Sequence, residues 1–65
     1  MNYLFRFNAF KKRTRKLTEG EPRESAAQAI RDARPFLDES KVVIILRAET
    51  KGINKGKYFL YQILK

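Results

Sequence analysis

The sequence predicts a small α+β domain in which one helix packs on one face of an antiparallel sheet of three to four strands. Three observations carry this: strict alternation over residues 2–8, one helical apolar stripe between about 23 and 34, and two apolar runs at about 41–48 and 57–64. The predicted order is ββαββ, or βαββ if the basic stretch 11–18 is a loop. All 65 residues are assigned to one domain.

Taken in order, Tyr3, Phe5 and Phe7 fall on one parity and Leu4, Arg6 and Asn8 on the other, the period-two pattern of a strand over about 2–8. Arg13 to Thr18 alternates as well and reads as the second arm of a hairpin turning near residues 8–12, or as an extended basic loop, since no glycine marks the turn. Glu19-Gly20-Glu21-Pro22 breaks the pattern. A helix started at Thr18 would need a backbone donor that Pro22 lacks, whereas Ser25 and Gln28 form a capping box, so the helix starts between Pro22 and Ser25. Ala26, Ala29, Ile30, Ala33 and Leu37 then share one face, and the small alanines let the helix lie close to a sheet. Pro35 disfavours helical geometry at Arg34, so the helix should end or kink there, with Phe36 and Leu37 closing the core from an irregular turn. The β-branched run Lys41 to Arg47 reads as a central strand covered on both faces near its middle. Gly52, Asn54 and Gly56 supply turn chemistry, and Tyr58 to Leu64 returns as the last strand.

A chain this short buries only about 60% of the surface its unfolded form exposes. It has no Cys and no His, which excludes a disulfide and leaves no plausible zinc site, so oligomerisation is the remaining reinforcement. No cofactor is expected. The longest strictly aliphatic run, Val42 to Leu46, is far too short to cross a bilayer, and Met1 leads straight into the alternating stretch. The expectation is a soluble intracellular protein, cytoplasmic or nucleoid-associated in a prokaryote or phage. Lys12-Arg13-Thr14-Arg15 is compatible with nuclear import in composition only.

The net charge of +8 is segregated along the chain. Residues 1–18 carry six cations and residues 50–65 carry four, with no acid in either segment, while residues 19–49 hold all seven carboxylates against five cations. Seven of the eight aromatics (Tyr3, Phe5, Phe7, Phe10, Tyr58, Phe59, Tyr61) lie in the same terminal segments as the excess charge. One helix can cover one sheet face, and both parities of the last strand are apolar, with Tyr58, Leu60 and Leu64 on one and Phe59, Tyr61 and Ile63 on the other. An uncovered aromatic face beside basic clusters is therefore expected.

This pattern points to a small, basic, non-enzymatic nucleic-acid-binding protein that meets DNA or RNA mainly through phosphates. Lys11, Lys12, Arg13, Arg15 and Lys16 are the first phosphate cluster, Lys55 and Lys57 the second, and Tyr58 and Tyr61 the candidate base stackers. A duplex variant lays the basic hairpin in a groove. The alternative is a protein-interaction module or inhibitor, for example phage or mobile-element encoded, docking on an acidic or nucleic-acid-binding partner protein. A homodimer with the charges as its rim also fits. A membrane surface is not expected, because the helix carries Glu24 and Asp32 and only a small apolar face. The Lys51 to Lys57 loop lacks the Walker spacing of a P-loop. Without His, Cys or a clustered acidic site the chain is not expected to be an enzyme, and Asp38 and Glu39 read as loop solvation.

Overall fold

A computed structural model describes residues 2–12 and 15–65. Along the chain it places β1 (Tyr3–Lys12), β2 (Arg15–Glu19), α1 (Ala26–Ala33), a 3-10 turn (Arg34–Phe36), β3 (Val42–Glu49) and β4 (Tyr58–Ile63). The strands form one open antiparallel sheet in the order β2-β1-β3-β4. This is the α+β arrangement expected, in its ββαββ form.

Register partners share a face, so the pairing from Tyr3↔Glu49 to Phe10↔Val42 sorts the two central strands. Phe5, Phe7 and Ala9 lie with Val43, Ile45 and Arg47 on one face. Leu4, Arg6, Asn8 and Phe10 lie with Val42, Ile44, Leu46 and Ala48 on the other. The helix packs on the first face, where Ala29 and Ala33 are buried with Phe7, Ala9, Val43 and Ile45. Ile30, Phe36, Leu37 and Leu64 close the margins of this core, and the Phe7 ring stacks on Phe36 at 5.5 Å.

Both ends of α1 follow from single residues. Ser25 is extended (φ −139°) and its hydroxyl oxygen accepts the Gln28 amide at 3.3 Å, the expected cap. Pro35 stops the α-helix at Ala33, and the chain tightens into the 3-10 turn that carries Phe36 to the core.

Three expectations need correction. The first strand does not end near Asn8, and no turn occupies residues 8–12: β1 runs to Lys12, because Ala9 is buried under the helix and Phe10 pairs with both Val42 and Lys16. Lys12 pairs with Arg15, while Arg13 and Thr14, placed by sequence in the second arm, lie outside the described residues. The central strand β3 is covered on one face only, since α1 lies over Val43 and Ile45 while Ile44 and Leu46 face away from it. The parity of β4 also breaks: a bulge at Tyr61 shifts the register, so that Ile63 joins Tyr58 and Leu60 on the open face and Leu64 turns to the core.

Beyond β2 the chain stays against β1. The Gly20 amide donates to the Phe7 carbonyl at 2.8 Å, and Arg23 exchanges two backbone hydrogen bonds with Phe5 at 2.7 and 2.6 Å. A Cβ on Gly20 would sit 2.3 Å from Phe7 Cδ1, so this position must be glycine for reasons of space. Gly20→Ala should therefore lower the unfolding free energy by about 1–3 kcal/mol in denaturant titration. The smaller ring-free side chain of Phe7→Leu should recover part of that loss, a coupling that a purely local backbone effect would not produce.

Candidate nucleic-acid interface

The hairpin end gathers most of the first predicted cluster. Lys11 and Lys12 close β1, Arg15 and Lys16 open β2, all four are exposed, and Arg13 lies outside the described residues. Among the described residues Lys11, Lys12 and Arg15 have no carboxylate partner. Lys16 is engaged, with Nζ 2.9 Å from Glu19 Oε2, and the other Glu19 oxygen accepts from Arg6 Nη2 at 2.7 Å. Arg6 Nε donates to the Gly20 carbonyl at 3.0 Å. Glu19 therefore bridges a strand cation and a hairpin cation. The hydrogen bond from Lys16 holds its carboxyl below its ordinary value, opposed by partial desolvation and aided by the charges of Arg6 and Lys16.

The second cluster lies elsewhere. Lys51, Lys55 and Lys57 are exposed on the loop joining β3 to β4, where Gly52 and Gly56 adopt φ of 90° and 80° and the Gly56 amide donates to the Glu49 carbonyl at 3.1 Å. The register puts Glu49 opposite Tyr3, at the far end of β1 from Lys11 and Lys12. Because β2 and β4 are also opposite edges, the two clusters sit at diagonal corners of a molecule 35 × 22 × 16 Å in extent. The sheet does not merge them into one basic side.

The aromatic residues divide in the same way. Tyr58 lies on the open face, where the Arg6 guanidinium stands 5.4 Å from its ring centroid, and Ala48 is buried between its register partners Leu4 and Tyr58. Tyr61 lies on the opposite, helix-side face, edge-on to Phe5 at 5.1 Å. The two candidate stackers thus point to opposite sides. The open face is also mainly aliphatic, with Leu4, Val42, Ile44, Leu46, Leu60 and Ile63, where the sequence led us to expect aromatics. Asn8 interrupts it, with Oδ1 shut from solvent and without a partner among the described residues.

The exposed rings are on the helix side, beyond the end of the short helix. There the Arg47 guanidinium lies 4.5 Å from the Tyr3 ring centroid and 5.6 Å from that of Tyr61, and Phe59 is its register partner. Tyr3, Phe59 and Tyr61 are 37%, 54% and 47% exposed. Among the described residues Arg47 has no carboxylate partner. Sequence reasoning counted Arg47 within the acidic middle and missed it. Its signal was its parity: it follows Val43 and Ile45 on the core-facing side, where an arginine marks the point at which cover ends.

Comparison with protein-family models, curated proteins and solved structures found no match. Among the described residues no three His, Cys, Asp or Glu side chains cluster, and no helix is long and apolar enough to cross a membrane.

Glu19 makes a pH-dependent clamp between the basic hairpin and Arg6. A lowered folded-state pKa contributes stability that is present above the unfolded value and lost as pH falls through the folded one. Glu19→Gln should lower the thermal midpoint at neutral pH, and the gap to wild type should close on acidification through and below the ordinary carboxylate range. A gap constant with pH would contradict the charge linkage.

Proposed function

We propose that the protein binds nucleic acid without turning it over, stacking unpaired bases on the rings around Arg47 and meeting phosphates with its exposed lysines and arginines. The supporting observation is the group of Tyr3, Arg47, Phe59 and Tyr61, solvent-facing and, among the described residues, with no carboxylate in ion-pair contact with the guanidinium, although Glu49 follows on the same face as the register partner of Tyr3. A cation over a ring contributes only about 0.5–1 kcal/mol at an exposed site. Three rings left about half in water bury only part of their surface in the fold, whereas a base stacked on such a ring gains about 1–3 kcal/mol. Bases reach rings on a sheet only when unstacked, which favours single strands over an intact duplex. Lys51, Lys55 and Lys57 extend from the same end of the sheet as Tyr3 and Glu49, at the side where a bound strand would carry its phosphates. Lys11, Lys12, Arg15 and Lys16 offer a second phosphate site at the other end, suited to a strand long enough to cross the domain.

Anisotropy titration against single-stranded and duplex DNA and RNA tests this. With about five phosphate contacts, raising salt from roughly 50 to 200 mM should weaken single-strand binding about a hundredfold. Tyr61→Leu, which keeps an apolar contact with Phe5, should cost about 1 kcal/mol or more for single strands and little for duplex. Joint replacement of Lys11, Lys12, Arg15 and Lys16 by Gln should reduce the salt slope. A flat salt response, or no affinity for any nucleic acid at low salt, would overturn the proposal.

A further inference from the structure

The two outer strands of the sheet are treated differently. β2 has five residues and the charges of Arg15, Lys16 and Glu19, which discourage an edge from pairing with another chain, while a register shift is common to both outer strands. β4 has none of the charges: Tyr58–Ile63 contains no charged residue, proline or glycine. Of the seven large apolar side chains exposed among the described residues, four are on this strand, namely Phe59, Leu60, Tyr61 and Ile63. They are distributed over both faces of the sheet, so no single helix or loop would cover them. A strand added alongside would touch both faces at once and pair the outward backbone groups as well.

We infer that β4 pairs antiparallel with β4 of a second copy of this chain, making a two-fold dimer with one continuous eight-stranded sheet. The second copy is favoured by charge and by length. With a net charge of +8 two copies repel, and a run from Tyr58 to Leu64 without formal charge is where they approach at least cost, with both basic hairpins on the outer edges. An identical strand matches in length and meets its mate in the antiparallel sense already used by every pairing in the sheet. Such a two-fold axis runs through the sheet, so both helices lie on one side and the two aliphatic faces adjoin on the other. Because the axis reverses strand direction, Lys51, Lys55 and Lys57 of one copy come to the same long side as Lys11, Lys12, Arg15 and Lys16 of the other. The dimer thus assembles on each side the basic band that one chain divides between diagonal corners. This last consequence rests on the nucleic-acid reading, and the pairing itself does not.

The pairing also sets Lys57 of one copy near Lys65 of the other, so added salt should strengthen the dimer by screening. Salt acts on nucleic-acid binding in the opposite sense. Light scattering of the protein alone, over a concentration series at low and high salt, should show a mass rising from the 7.7 kDa chain towards twice that value, at lower concentration in high salt. Leu60→Lys and Ile63→Lys, both at exposed positions, should keep the wild-type circular dichroism and remain at chain mass. Chain mass at every concentration and both salts, a dimer indifferent to these substitutions, or an open-ended assembly would overturn the inference. A monomer that still binds oligonucleotide overturns the dimer alone, and a dimer without affinity for nucleic acid supports the pairing while removing the functional reading.

Discussion

One helix of eight residues lies on a four-stranded sheet, and this mismatch of cover governs the rest of the molecule. Ser25 begins the helix and Pro35 ends its α geometry, so it is long enough to bury Phe7, Ala9, Val43 and Ile45 and too short to reach Tyr3, Arg47 and Phe59. Alanines at 29 and 33 bring it close, which makes a dense but narrow core. Gly20 serves the same economy by leaving room for the Phe7 ring at the sheet margin. What this core cannot bury becomes the surface: an aliphatic face on one side, and a ring and guanidinium group on the other.

The fold was legible because each element had a local physical cause visible in the sequence. Alternation made β1, the capping box placed α1, Pro35 placed its end, and the glycine-rich loop placed the last hairpin. Two kinds of detail were not legible. Strand ends depend on partners: Ala9 and Phe10 are strand because β3 and the helix hold them, a tertiary effect that no pattern over residues 2–8 reports. Faces depend on register, and the extra residue at Tyr61 exchanges the sides of Ile63 and Leu64, which a strict period-two reading assigns the wrong way round.

The same two effects explain the candidate site. Composition correctly located excess charge in the terminal segments, but neighbours in composition were not neighbours in space, because antiparallel pairing sends the hairpin and the Lys51 to Lys57 loop to opposite ends. Tyr58 and Tyr61, three residues apart on one strand, face opposite sides and have different partners, Arg6 for one and Phe5 with Arg47 for the other. Arg47 was hidden by averaging it with nearby carboxylates. Where a charge sits relative to the edge of the helix matters more here than the sum over its segment.

The proposed nucleic-acid site is the surface left bare by the short helix. Backbone amide shift mapping by NMR, during titration with a short single-stranded oligonucleotide at low salt, addresses it directly. Shifts are expected at Tyr3, Arg47, Phe59, Tyr61 and the Lys51 to Lys57 loop, with a second set at Lys11, Lys12, Arg15 and Lys16, and little change along Ala26–Ala33. Shifts confined to the helix, or to the hairpin lysines with the Arg47 rings unmoved, would contradict it.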